Sequence, residues 1–340
     1  MMISKTTYPH TWRSLLAYIH QLPRNLIFKI VTTFLYVVLS IILIERYMEE
    51  TREISALFHL IDDPDKEVFT TVSERIVSFG KHIIPNLENL WENTPDEEVQ
   101  ERIEMLIHRL HLRSLTTELI QWKDQPEPDL LMGALLVCKF QYPELAFSSV
   151  LREIEKIRRN IWLELNSYLT ALEQTNVITT ILYSYYNFKG VEISYKEPNE
   201  FLINKVLDTK KGNSFSNGIL YLVMCELLDV PIKAINIPRQ FILGFFDINA
   251  TDWETDSGNP ASTIQFYIDP MSGQIFTLKD VETYFSKLSI TPTSSYFKPL
   301  TNQRIIQYLL EEFAKCFDNE KNRYKHRELL QLASLLDKEA

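Results

Sequence analysis

Ser214 stands in "KKGNSFSNGILYL" (210–222), where a Gly-Asn-Ser turn comes directly before an apolar run with helical spacing. A helix start presents unpaired backbone N–H groups and the positive end of the helix dipole, so it can hold a nucleophile or an anion. Serine and its neighbours also serve simply as helix caps. Ser214 is therefore either a candidate nucleophile or part of an ordinary cap, and the groups around it decide between the two.

A serine nucleophile needs a base, and the sequence offers few near Ser214. The chain has 7 histidines, and none of them lies between residues 112 and 325. Help from a general base is worth about 10²–10⁴ in rate, and an unassisted hydroxyl is a poor nucleophile. Lys210 and Lys211 would allow a Ser-Lys site, but we interpret both as exposed charges of the turn. The sequence therefore favours a structural role for Ser214 as part of a helix cap.

The residues after this helix have the character of β-strands. Two apolar runs, "QFILGFF" (240–246) and "TIQFYID" (263–269), follow a shorter candidate, "IKAIN" (232–236). The polar loop between the two longer runs predicts an antiparallel connection. That loop is rich in acidic and amide oxygens, but it lacks the spacing of an EF-hand calcium loop.

Three stretches that include the Ser214 turn and the two longer runs carry motifs in the order found in a known family. They are "YKEPNEFLINKVLDTKKGNSFSNGILYL", "NIPRQFILGF" and "YIDPMSGQIF". With them, residues 160–286 resemble the transglutaminase-like domain of the bacterial SirB-type proteins. The resemblance implies an α+β fold with a transglutaminase-like (papain-like) core. Active members of that fold use a Cys at the helix start as nucleophile, a His on the first strand as base and an Asp on the next strand to orient the His.

The resemblance places Ser214 at the Cys position, Gln240 at the His position and Asp269 at the Asp position. Glutamine cannot accept a proton at neutral pH. The resemblance thus implies a degenerate triad with no confident catalytic residue, and it implies a fold and not transglutaminase activity.

Helical patterns flank this core on both sides. "DDPDKEV" (62–68) and "TPDEEVQERI" (94–103) each begin a helix with acidic residues and a proline, which predicts a HEAT-like region over 48–125 or, alternatively, a plain helical bundle. We assign 126–300 to the transglutaminase-like domain. Two amphipathic runs predict a TPR-like helical hairpin over 301–340.

The first 47 residues form an extension with a separate character. Residues 26–44 are uncharged except for Lys29 and follow several basic residues, which predicts a possible transmembrane helix with a cytoplasmic N-terminus. Alternatively, translation starts at Met48 and the protein is cytoplasmic, or the segment is a buried core helix. The sequence leaves these alternatives open.

Composition excludes several classes of function. The formal net charge of −10 opposes binding to phosphate backbones, so we expect no nucleic-acid partner. Cys138, Cys225 and Cys316 lie far apart in apolar helical patterns, which predicts buried free thiols. Glu104, His108 and His111 fall on one helix face, but no further ligand set accompanies them, so we interpret that face as solvated. We expect neither a metal nor a cofactor.

These observations favour a non-catalytic scaffold or regulator that binds a protein or peptide. In this hypothesis the former active-site cleft persists as a polar pocket around Ser214, Gln240 and Asp269, beside helical surfaces that a partner could contact. The alternative is a hydrolase or acyltransferase that uses Ser214 in the degenerate site. A membrane-tethered accessory factor is a third possibility.

Overall fold

The computed structural model describes residues 51–247 and 260–337, together with 32–33, 35–40 and 48. The chain divides into two compact units, residues 1–109 and 110–340. Most of the predicted membrane segment 26–44 lies outside the described residues. Among the residues that are described, no helix has both the length and the apolar character needed to cross a membrane.

The first unit is helical in its described part. Residues 51–58 are helical, and α1 (Lys66–Phe79) and α2 (Ile84–Asn93) follow. The unit boundary falls within α3 (Glu97–Lys123). Asp65 begins α1 by accepting a hydrogen bond from the Glu67 N–H at 2.8 Å, as the Asp-Pro turn predicts. The prediction of consecutive helices is confirmed, whereas a HEAT-like arrangement stays a prediction.

The second unit contains eight further α-helices within the described residues: α4 (Leu130–Gln141), α5 (Phe147–Glu164), α6 (Ala171–Thr179), α7 (Ile203–Thr209), α8 (Ser214–Leu227), α9 (Leu278–Leu288), α10 (Asn302–Ala314) and α11 (Arg323–Ser334). A π-helical segment, Thr180–Tyr185, continues α6. Helices α4 and α8 are apolar over most of their surface, and both lie in the main hydrophobic core. A helix that is apolar all round must be covered on every side, which explains their central place.

A four-stranded antiparallel sheet packs beside these helices. Its strands are β3 (Ile232–Ile237), β4 (Gln240–Phe246), β5 (Ile264–Ile268) and β6 (Ile275–Phe276), in that spatial order. The three predicted strands and the antiparallel pairing of the two longer ones are confirmed, and β3 also pairs antiparallel with β4. Strand β6 and a parallel pair, β1 (Lys189–Gly190) with β2 (Lys211–Gly212), were not predicted, because two-residue strands show no periodicity.

The last described helices form the predicted pair. Leu309 and Phe313 of α10 are buried in the same core as Leu329 and Leu332 of α11. The His326 Nδ1 atom lies 2.8 Å from the Ala314 carbonyl oxygen, which joins the start of α11 to the end of α10. Two adjacent helices at the C-terminal end are thus confirmed, and a TPR-like classification stays a prediction.

The three cysteines are free thiols. Cys138 in α4 and Cys225 in α8 are buried, as predicted, and burial raises the pKa of Cys138 to about 12 and that of Cys225 still further. Cys316 departs from the prediction because it is partly exposed, in the 3₁₀ turn Lys315–Phe317 where α10 ends. Its pKa is also raised to about 12, first by burial and then by the charge of Glu312.

Candidate functional site

The cap of α8 is Asn213, the neighbour of Ser214. The Asn213 Oδ1 atom accepts hydrogen bonds from the N–H groups of Phe215 at 3.0 Å and Ser216 at 3.1 Å. Ser214 is the first residue of the helix and is partly exposed. Between the two residues that the sequence allowed as cap, the structure selects Asn213, because its side-chain oxygen reaches two unpaired donors.

Two buried polar side chains in the first turn tie α8 to the preceding loops. The Ser216 hydroxyl donates to the Glu200 carbonyl at 2.6 Å, and the Asn217 amide donates to the Gly212 carbonyl at 3.1 Å. Gly212 lies so close that a Cβ there would stand 2.4 Å from Asn217 Oδ1. Sequence reasoning missed these structural roles, although the dense polar run "GNSFSN" before an apolar helix was the available signal.

Gln240 is the first residue of β4 and is exposed. Its neighbour Phe241 stacks on Phe215 of α8, with ring centroids 4.9 Å apart. A Cβ on Gly218 would stand 2.6 Å from Phe241 Cε1 and 3.2 Å from Pro270 Cβ. Apolar packing therefore joins the first turns of α8 to the start of β4 and to the Asp-Pro turn.

Asp269 is engaged by its own turn between β5 and β6. Its Oδ1 accepts from the Met271 N–H at 2.9 Å, and its Oδ2 accepts from the Ser272 hydroxyl at 2.8 Å. The Asp269 carbonyl accepts from the N–H of Gly273, whose φ of 72° lies in the left-handed region. Within the described residues, no hydrogen bond joins the side chains of Ser214, Gln240 and Asp269, so Asp269 orients no base there.

The candidate bases near Ser214 are also in use or exposed. Lys210 is half-buried, against the prediction of an exposed charge, and its Nζ lies 4.5 Å from the centroid of the Phe188 ring. Burial lowers the pKa of Lys210. Lys211 is exposed, as predicted. Among the described residues, the Ser214 hydroxyl donates no hydrogen bond to either lysine or to another side chain.

Glu104, one of the three residues on the possible metal-binding face of α3, takes part in a hydrogen bond with a side chain of α2. Glu104 Oε1 accepts a hydrogen bond from the Trp91 indole N–H at 3.1 Å. Over the part of the chain that the structure describes, no three His, Cys, Asp or Glu side chains are arranged to hold a metal ion.

The described residues of the second unit line several clefts, and the two considered for binding contain none of Ser214, Gln240 and Asp269. The first, of about 670 Å³, is lined by the end of α4, by the first two turns of α5 and by α7. The second, of about 550 Å³, lies between α5 and the α6–π-helix segment, and Leu163, Val177, Ile181 and Tyr185 form its apolar part.

Comparison with known proteins agrees with this architecture. Residues 148–311 match the family described as the transglutaminase-like superfamily. The chain is 27% identical to UPF0162 protein BU173 of Buchnera aphidicola subsp. Acyrthosiphon pisum over 44% of this chain and 51% of that one. It is 22% identical to Protein SirB1 of Salmonella typhimurium over 62% of this chain and 72% of SirB1. Mouse F-box only protein 21 is 30% identical over 32% of this chain and 17% of its own length.

The chain spans about half the length of the UPF0162 relative from Buchnera. No solved structure matches it. The fold and these matches together define a protein with a transglutaminase-like domain. Within that class, the chain is similar to the SirB-type proteins, which confirms the resemblance and the α+β fold expected from residues 160–286.

Proposed function

We propose that this protein is a non-catalytic member of the transglutaminase-like class and that it binds a protein or peptide partner as a scaffold or regulator. The observation that carries the proposal is the engagement of the Asp269 carboxylate. Both of its oxygens accept hydrogen bonds from the Asp-Pro turn, in place of orienting a base. Gln240, at the base position, cannot take a proton from Ser214 at neutral pH.

The exposed surface near the second cleft supports a partner-binding role. Trp162, Leu163 and Tyr185 are 60%, 68% and 68% exposed. Leu163 and Tyr185 line the apolar cleft beside α5, and Trp162 lies next to Leu163 in a smaller depression. Adjacent exposed apolar side chains are typical of surfaces that contact another protein.

The proposal is tested by turnover of an ester and of a glutamine-amide substrate by the full chain and by Ser214→Ala. We expect neither protein to exceed the rate in buffer, because the Ser214 hydroxyl has no base. Ser149→Ala is the matched control, since Ser149 also lies in the first turn of a helix, where its hydroxyl donates to the Ala146 carbonyl.

Turnover by the wild-type chain that disappears only in Ser214→Ala would overturn the proposal in favour of a hydrolase or acyltransferase. A covalent adduct on Ser214 with a serine-directed phosphonate would have the same meaning. Retained partner binding by Ser214→Ala would then show that recognition and turnover are separate.

A further inference from the structure

Two amide side chains that line the cleft of about 670 Å³ have buried carbonyl oxygens that accept no hydrogen bond. Asn204 on α7 is only 6% exposed, and its Oδ1 is buried without a partner. Gln141, at the end of α4, lines the same cleft, and its Oε1 is also buried without a partner. We call this place the Asn204 cleft. Buried acceptors without donors cost stability, so a pair of them in one cleft needs an explanation.

A ligand with N–H donors would satisfy both oxygens. The last torsion of an Asn or Gln side chain is broad, so a small rotation turns the amide toward a group in the cleft. The same amides carry N–H groups that can donate to a carbonyl of the ligand.

The cleft also presents groups that donate. Arg152 lines it from α5, and Lys205 lines it from α7, with its Nζ 4.6 Å from the centroid of the Tyr142 ring.

This mixture of acceptors and donors suits a peptide main chain, in which N–H and C=O groups alternate. A polyamine fits less well. Glu144, Glu153 and Asp208 on the lining would attract it, but Arg152 and Lys205 stand on the same lining and would repel it.

We infer that the Asn204 cleft binds an extended peptide segment, whose main-chain N–H groups donate to Asn204 Oδ1 and Gln141 Oε1. The inference rests on the proposed function and names the place where the partner is held. It makes the cleft a recognition site separate from the positions of the degenerate triad.

The probe is a library of random dodecapeptides displayed on phage and selected on the full chain, with affinities of selected peptides measured by calorimetry. We expect Asn204→Leu and Gln141→Leu each to weaken binding about tenfold, the loss that one hydrogen bond to the peptide predicts. Ser73→Ala is the matched control, because Ser73 on α1 also has a buried oxygen without a partner but lies in the other unit. It should leave the affinity unchanged.

Methylation of each main-chain nitrogen of a selected peptide then identifies the donors. One or two methylations should weaken binding to the wild-type chain about tenfold. Each of them should have no effect on binding to the variant that lacks its acceptor, which is either Asn204→Leu or Gln141→Leu. This coupling would not arise if the variants weakened binding only by disturbing the fold. Thermal melting identifies a variant that fails to fold, and the other variant then serves in its place.

Unchanged affinity of selected peptides for both variants would overturn the Asn204 cleft as the peptide site while leaving the proposed function intact. Failure of the wild-type chain to select any peptide would overturn the cleft as a peptide site, whereas the proposed function is overturned only by the turnover test of Ser214→Ala. Spermidine binding that Asn204→Leu abolishes, without peptide binding, would overturn the peptide as ligand and assign the cleft to amines.

Discussion

Asn213 and Asn204 are both buried asparagines, yet their side chains do opposite things. Asn213 is 0% exposed and its Oδ1 accepts two backbone hydrogen bonds, although its Nδ2 lacks a partner. Asn204 is 6% exposed and its Oδ1 accepts none. At the start of α8, where active members of the fold would hold a nucleophile, the polar side chain of Asn213 caps the helix. In the Asn204 cleft, the unpaired amide oxygen opposes folding, and this cost motivates the recognition role that we propose for the cleft.

The largest expected effect comes from a substitution that disturbs the packing of α8 against Phe241. Gly218→Ala places a Cβ 2.6 Å from Phe241 Cε1, so we expect the free energy of unfolding to fall by about 1–3 kcal/mol, measured by urea denaturation. In a Phe241→Leu background the same substitution should cost much less. An equal cost in both backgrounds would show that Phe241 does not cause it.

The next effect separates Asn213 from Ser214. Asn213→Ala removes the cap of α8 and should lower the free energy of unfolding by about 1–2 kcal/mol. Ser214→Ala should change it by no more than about 0.5 kcal/mol, because no hydrogen bond of the Ser214 side chain supports the helix. Equal losses in urea denaturation would contradict the assignment of Asn213 as the cap.

On the other side of the comparison, removing polarity should stabilise the chain. Asn204→Leu replaces an unsatisfied buried amide with an apolar group of similar size, so we expect the free energy of unfolding to rise by about 1 kcal/mol. Ser73→Ala, the control in the other unit, should also raise it or leave it unchanged. A loss above 1 kcal/mol in Asn204→Leu alone would mean that the amide has a structural partner in solution.

The smallest expected effect is a pH dependence of the unfolding free energy that arises from Glu200, whose carbonyl contacts the start of α8. Burial, and next the charge of Glu197, raises the pKa of Glu200, whose Oε2 is buried without a partner. Because the folded chain holds this proton more tightly, the stability that Glu200 adds is present below the ordinary carboxyl pKa and is lost as the pH rises through the raised value. Glu200→Gln should flatten the unfolding free energy over that window.

Glu173 provides a control of opposite sign for the Glu200 prediction. Hydrogen bonds from the Thr170 backbone and hydroxyl lower the Glu173 pKa, so its contribution is present at neutral pH and is lost as the pH falls through the lowered value. Glu173→Gln should remove that acid-side loss. The same slope in both variants would contradict the assigned directions.

The sequence predicts much of this fold because its signals are local. The run at 240–246 is short, apolar and rich in phenylalanine, with polar turn residues after it, and the structure has β4 over Gln240–Phe246. The choice of Asn213 over Ser214 as cap is not predictable, since both residue types cap helices and the backbone direction decides. The Asn204 cleft is hidden for a different reason. Gln141 and Asn204 lie far apart in the chain, and only the packing of α4 near α7 brings them to one surface.

The two buried thiols, Cys138 and Cys225, can report on opening of the core. Backbone N–H groups of Ile203 and Asn204 face the Cys138 sulfur, so this thiol is sealed by the start of α7. Because Cys138 and Cys225 are both fully buried, an alkylating reagent reaches either thiol only after the core around it opens. The rates of modification at the two positions therefore report how often the core opens near α4 and near α8.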